Sequence, residues 1–196
     1  MKSEFVLKLA MSLHANPGVC ALMIGSGMSR SAGILTGWEI VVDLIRRVAS
    51  MEKEKPKPDP ETWYQQRFGE PPDYAKLLDR LTTTPAERMA LLRSYFEPTE
   101  EEREQGLKVP TPAHRAIAAL TKLGYIRMIL TTNFDRLLER ALEEDGIVPD
   151  VISSDDGLKG AMPYVHSRCV VVKLHGDYRD TRIKNTPKEL AKYSQE

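Results

Sequence analysis

Three short apolar runs, Val19–Ile24, Tyr125–Leu130 and Val170–Leu174, constrain this chain more than any other feature of its sequence. Each is too short for a helix, is bounded by turn-forming residues, and has the length of a buried strand. Segments with helical spacing separate them, and strands alternating with helices pack as a parallel sheet with right-handed crossovers. Each run is followed at once by a polar cluster: Gly25–Ser31, Thr131–Asp135 and His175–Asp177. Open parallel sheets bind ligands beyond the carboxyl ends of their strands. If the three runs are neighbours, the three clusters meet at one crevice. The expected fold class is therefore α/β, a Rossmann-like parallel sheet.

Between the strands the helical pattern is legible in pieces. Ser3–Asn16 carries Phe5, Val6, Leu9 and Leu13 at helical spacing and stops at Asn16-Pro17-Gly18. Past the first polar cluster, Trp38, Val41, Leu44, Ile45 and Val48 line one face of a second helix. Pro56, Pro58 and Pro60 exclude regular structure from Glu52–Pro60, which opens a region of different character. Within it, Tyr74, Leu77, Leu78 and Leu81 mark one helix, and Thr84-Pro85-Ala86-Glu87 starts another with a capping box and proline at the first helical position. The charge-rich Glu97–Lys108 closes the region. The core pattern resumes at the N-cap Thr111-Pro112, with Ala113, Ala116, Ile117 and Leu120 as the buried stripe and Gly124 ending the helix. A later helix turns Leu137, Leu138, Ala141 and Leu142 inward. The expected organisation is a core of residues 1–50 and 111–196, with a helical insertion of residues 51–110 lying as a cap beside the crevice.

Composition narrows the function classes. A chain of 196 residues can hold one sizeable core plus an insertion. Its 28 basic and 28 acidic residues balance, so no global field selects nucleic acid or an anionic membrane. Cys20 and Cys169 adjoin apolar runs and read as small buried hydrophobes, and two thiols cannot build a four-cysteine zinc site. No metal is expected. Met1–Met11 is not a secretory signal and no apolar run approaches a membrane span, so a soluble cytoplasmic protein is expected.

The three clusters differ in what they can do. Gly25-Ser26-Gly27-Met28-Ser29 lets the backbone turn tightly and present amide hydrogens to a pyrophosphate. Arg30 stands where the dehydrogenase fingerprint needs glycine, so the cluster reads equally as a strand-to-helix turn. Asp135 suits an ordinary helix N-cap, whereas Asn133 lies two residues too early and offers donor and acceptor together to a water or a sugar hydroxyl. His175 follows a buried run directly and can serve as a general base near neutral pH. Asp177 either orients it or caps the next turn. His14, His114 and His166 read as structural residues.

Together the clusters resemble the sirtuin family. Gly25-Ser26-Gly27-Met28-Ser29-Arg30-Ser31-Ala32-Gly33-Ile34 is similar to its Gly-Ala-Gly-x-Ser-x-x-x-Gly-Ile cofactor loop. Thr131-Thr132-Asn133-Phe134-Asp135 is similar to Thr-Gln-Asn-x-Asp, and Leu174-His175-Gly176 to the segment with the general-base histidine. Pro112-x-His114 resembles the helix before the second strand. The resemblance covers roughly residues 19–46 and 111–177. It implies the sirtuin/DHS-like NAD-binding fold, with Asn133 and His175 catalytic. Gly25, Ser26, Gly27, Met28, Ser29, Gly33, Ile34, Thr132 and Asp135 would bind NAD.

The departures point to a subfamily. Leu35-Thr36-Gly37-Trp38 replaces the Pro-Asp-Phe-Arg of sirtuin deacylases, Thr132 replaces a glutamine, and the Cys-x-x-Cys zinc ribbon is absent. The Gly-Trp-Glu turn and Lys173-Leu174-His175-Gly176-Asp177 resemble instead the sirtuin-like domains of bacterial antiphage defence. What this implies is an NAD glycohydrolase that yields nicotinamide and ADP-ribose and depletes the NAD pool. NAD-dependent protein deacylation and a non-catalytic nucleotide-sensing module are the alternatives. The family usually continues to a further strand whose Gly-Ser turn contacts the adenosine half. None follows Val170–Leu174, although Thr186-Pro187-Lys188-Glu189 starts a capped helix. The resemblance therefore leads us to expect a three-stranded, incomplete pocket, weak NAD binding by the isolated chain, and a homo-oligomer or an associated or fused sensor component as partner.

Overall fold

The computed structural model describes residues 2–179. In chain order the elements are α1 (Lys2–Ala15), β1 (Cys20–Ile24), α2 (Gly37–Met51), α3 (Pro60–Phe68), α4 (Tyr74–Leu81), α5 (Pro85–Phe96) and α6 (Glu100–Glu104). They continue as α7 (Pro112–Lys122), β2 (Ile126–Thr131), α8 (Leu137–Glu144), β3 (Asp150–Ile152), α9 (Asp155–Lys159) and β4 (Val170–Lys173). Contacts divide the described residues into two units, 2–33 with 98–177, and 34–97 with 178–179. These boundaries fall elsewhere than at 50/51 and 110/111 because α2 turns its apolar face to α3 and α4. The helix start expected at Thr186–Glu189 lies outside the described residues.

The first unit is a Rossmann-like α/β layer. Its strands are all parallel in the order β1-β2-β4-β3. The three expected strands are thus neighbours, and their register aligns their ends: Ile24 pairs with Thr131, and Thr131 with Lys173. Leu174 N–H donates to Thr131 O (2.8 Å), so all three polar turns leave the sheet at one level. A fourth strand, β3, pairs with β4 at the far edge. Its three residues are too few to form an apolar run, and it exists only because β4 is there to receive its hydrogen bonds.

The core of this unit lies between the sheet and the pair α7 and α8. Ala118 of α7, Leu138, Ala141 and Leu142 of α8, and Ile129 and Val171 of the sheet pack together. Each fully buried leucine contributes about 1.5–3 kcal/mol over an exposed one. The expected inward face of α8 is the observed one. Cys169 is fully buried, and burial pushes its thiol up to about 11, which makes it inert at neutral pH.

Two expectations about the first strand are corrected. β1 is not buried on both faces, and Cys20 is only half-buried. β1 stands at one end of the described sheet order. Leu22 and Ile24 pack against the core, while Met23 is 69% exposed. Nor is the apolar stripe of α1 an inward one: Phe5, Val6 and Leu9 are all exposed.

The second unit is helical. Thr36 and Glu39 close a capping box at the start of α2, whose buried stripe is Ile40, Leu44, Ile45, Val48 and Ala49. Trp38, expected on that stripe, is exposed. The capping box at Thr84–Glu87 forms as expected. Helix α3 was not anticipated, although Asp59 as N-cap with Pro60 at the first helical position is the same kind of signal. Tyr64 and Leu77 are fully buried here, and the Tyr95 hydroxyl donates to Asp43 Oδ2 (2.6 Å). Among the described residues no helix is long and apolar enough to cross a membrane.

Candidate functional site

The turn after β1 is more ordered than a loop. Two 3-10 turns, Ser26–Met28 and Arg30–Ala32, are closed by Met28 N–H to Gly25 O (3.1 Å) and Ala32 N–H to Ser29 O (3.1 Å). This winding carries Ser29 inside, with no exposed surface, and leaves Gly25, Ser26 and Gly27 facing solvent. A Cβ at Gly27 would meet nothing within 4 Å, so a ligand can approach that backbone closely. Gly33 ends the second turn at φ 78°, where a Cβ would come within 3.2 Å of Leu107. Met28 is half-buried. Ile34 is buried in the second unit.

The turn after β2 aims Asn133. Thr131 Oγ1 accepts the Asn133 backbone N–H (3.0 Å), which bends the chain so that the side chain is buried. Asn133 Nδ2 donates to Ser29 Oγ (3.1 Å), whereas Asn133 Oδ1 is buried without a partner among the described residues. An unsatisfied buried amide oxygen costs roughly 1–3 kcal/mol and calls for an explanation. Thr132 is half-buried beside Gly25. Asp135 caps α8 by accepting the Leu137 N–H (3.0 Å), although Arg136 occupies the N-cap position.

The turn after β4 holds a group that sequence reasoning missed. Lys173, the last residue of β4, is fully buried. Its ammonium donates to Phe134 O (3.1 Å), Asp135 O (2.6 Å), Glu139 Oε1 (3.1 Å) and Asp177 Oδ2 (3.1 Å). Arg136 Nη1 also donates to Asp177 Oδ2 (2.8 Å). Lys173 thereby clamps the Asn133 turn and the start of α8 to the end of β4. The sequence signal was a lysine closing an apolar run with an aspartate four residues on. His175 is half-buried, its ring tilted on Phe134 at 6.2 Å. Gly176 makes the turn at φ 88°, its N–H donating to Lys173 O (3.1 Å). Asp177 faces the two cations, a third role beside the two left open in sequence.

His114 enters the same cluster. It is fully buried at the third position of α7 and completes the capping box of Thr111. Thr111 N–H donates to His114 Nδ1 (3.1 Å), and His114 Nε2 lies 3.4 Å from Ser29 Oγ. A purely structural reading of this histidine is too small, since one residue separates it from Asn133. Burial lowers its pKa, with the Asp135 carboxylate opposing. The unfolded chain therefore binds a proton here more readily than the folded one. Stability from this group is complete above the unfolded value of about 6.5 and is lost as pH falls through it towards the folded pKa. Melting curves between about pH 8 and about pH 5 are expected to show this loss in the wild type and less of it in His114→Gln. Equal pH dependence in both would remove His114 as its source.

A parallel sheet with three polar turns converging at its carboxyl edge defines a Rossmann-like nucleotide-binding arrangement. The family model of the SIR2-like domain matches residues 127–196, so that part of the chain is similar to a SIR2-like domain. No curated protein matches the chain. The matched segment includes Asn133, Lys173 and His175 but neither the Gly25–Gly33 turn nor His114. SIR2-like domains are commonly NAD-dependent enzymes.

Proposed function

We propose that this protein is an NAD glycohydrolase, with Asn133 and His175 at its reaction centre. The observation that carries the reading is the Asn133 side chain. It is buried and fixed through Nδ2, its Oδ1 has no partner among the described residues, and it belongs to one of three polar turns that leave the sheet at one level. Such an acceptor suits a ribose hydroxyl or a water, and its desolvation is offset only when one binds. The exposed Gly25–Gly27 backbone beside it suits a pyrophosphate.

In this reading NAD supplies an N-glycosidic bond with a good leaving group. Asn133 positions the ribose and the attacking water. His175 takes one proton from that water as its oxygen bonds to C1′, and the bond to nicotinamide breaks. The products are nicotinamide, ADP-ribose and a proton. Gly25, Ser26, Gly27, Met28, Ser29 and Thr132 hold the cofactor on the turns, and Asp135 acts through the cap of α8. NAD depletion in antiphage defence, controlled by oligomerisation or a sensor component, belongs to the same reading and rests on the Lys173–Asp177 resemblance.

Nicotinamide release from NAD by the longest native form of the protein, with an acetylated peptide in parallel, tests this. Equimolar nicotinamide and ADP-ribose without the peptide are expected. Acyl transfer to ADP-ribose would favour deacylation, and binding without release a sensor; either overturns hydrolysis.

A further inference from the structure

We infer that Ser29 is a positioning residue, which serves the substrate by holding the Asn133 side chain in place rather than by touching NAD itself. This rests on the reading of Asn133 above, and deepens it. Ser29 stands where the two 3-10 turns of the first polar cluster join, ending one and starting the other. Its N–H donates to Ser26 O (3.2 Å) and its carbonyl accepts from Ala32 N–H (3.1 Å), so its backbone is tied on both sides. A serine at a helix start ordinarily caps it, the hydroxyl accepting a backbone N–H of the first turn. Here the side chain makes no cap bond. Ser29 also has no exposed surface with which to meet a ligand.

Two side chains meet the hydroxyl instead. An amide nitrogen can only donate, so Ser29 Oγ is the acceptor of Asn133 Nδ2 (3.1 Å). His114 Nε2 lies 3.4 Å from the same oxygen and suits it in either tautomer, because a hydroxyl both accepts and donates. Among the described residues, Ser29 Oγ is the one hydrogen-bond partner of the Asn133 side-chain amide. Removing that oxygen leaves no polar contact to restrain the amide. A misplacement of about 1 Å in a positioning group can cost on the order of 10²-fold in rate. The bond spans 104 residues and ties the turn after β1 to the turn after β2. In the proposed site it thereby joins the backbone suited to the pyrophosphate to the side chain suited to the ribose.

Ser29→Ala deletes one oxygen and leaves the volume nearly unchanged. In the full chain it is expected to lower kcat for nicotinamide release at least about fivefold, with KM for NAD little changed. A smaller loss, or a rise in KM with kcat unchanged, would overturn the proposal. Adding Ser29→Ala to Asn133→Ala should cost less than about twofold further, since the side chain it positions is already gone. Losses that multiply would assign Ser29 a contact of its own and overturn the proposal as well.

A readout without NAD keeps this test separate from the proposed reaction. Side-chain coupling constants of Asn133 report whether χ1 rests in one staggered rotamer or averages over several. One rotamer is expected in the wild type, and averaging in folded Ser29→Ala. Averaging in the wild type, or the same single rotamer in both proteins, would overturn the positioning role even in an active enzyme. If no nicotinamide is released at all, hydrolysis fails while these couplings still decide whether Ser29 holds Asn133.

Discussion

Exchange of Lys173 for methionine is expected to lower the unfolding free energy by about 3–5 kcal/mol, the usual cost of leaving a buried ion pair half-made. Methionine keeps most of the stem's volume and removes the charge, so packing changes little. What is lost is the ammonium that pairs with Glu139 and also touches Asp177, which keeps its bond from Arg136. Glu139 is 2% exposed and would be left as a carboxylate in the core, or would have to bind a proton. Two backbone carbonyls, of Phe134 and Asp135, lose a donor in the same step. Pairing Lys173→Met with Glu139→Gln should recover part of the loss, since the orphaned charge then disappears. Urea unfolding at neutral pH checks both. A loss below about 1 kcal/mol for the single variant would place Lys173 among exposed pairs, which are worth that little.

The second large effect is on rate. Asn133→Ala and His175→Ala, each in folded protein, should abolish most nicotinamide release, and losing the general base His175 should alone cost about 10²–10⁴. The structure separates their side effects. Asn133→Ala removes the unpartnered Oδ1 along with the bond to Ser29, so its stability should change little. His175 contacts Phe134 but carries none of the ion pairs beneath it, so its removal should also leave the melting temperature nearly unchanged. Release at near wild-type rate from either folded variant would take that residue out of the mechanism. A folded Lys173→Met protein that also loses activity would show that the clamp beneath the two turns holds their geometry.

These two predictions divide along the line between what was legible and what was not. Local signals were readable because their physics is local. The capping box at Thr84 and the N-cap at Thr111 need only residues a few positions apart, and both formed. The apolar runs became β1, β2 and β4 because a short run between turns can bury itself in no other way. Asn133 and His175 were singled out by their place after those runs, and that place follows from chain direction in a parallel sheet. Burial was harder to read. Met23 and Trp38 lie in apolar patterns yet stay exposed, because a sequence shows which residues can be covered but not which neighbour covers them.

Everything that spans the chain was decided by tertiary structure. Ser29 meets Asn133 across 104 residues and His114 across 85, and Lys173 reaches Glu139 across 34. No spacing rule connects such positions. They meet because β1, β2 and β4 end in register, which fixes where each turn begins to within a residue. The sequence by itself determined that three polar turns would stand at the ends of parallel strands. Only the sheet register decided that Ser29 faces Asn133, and only burial by α7 and α8 made His114 and Lys173 part of the site. A hydrogen bond depends on tenths of an ångström, whereas a hydrophobic pattern specifies only a face.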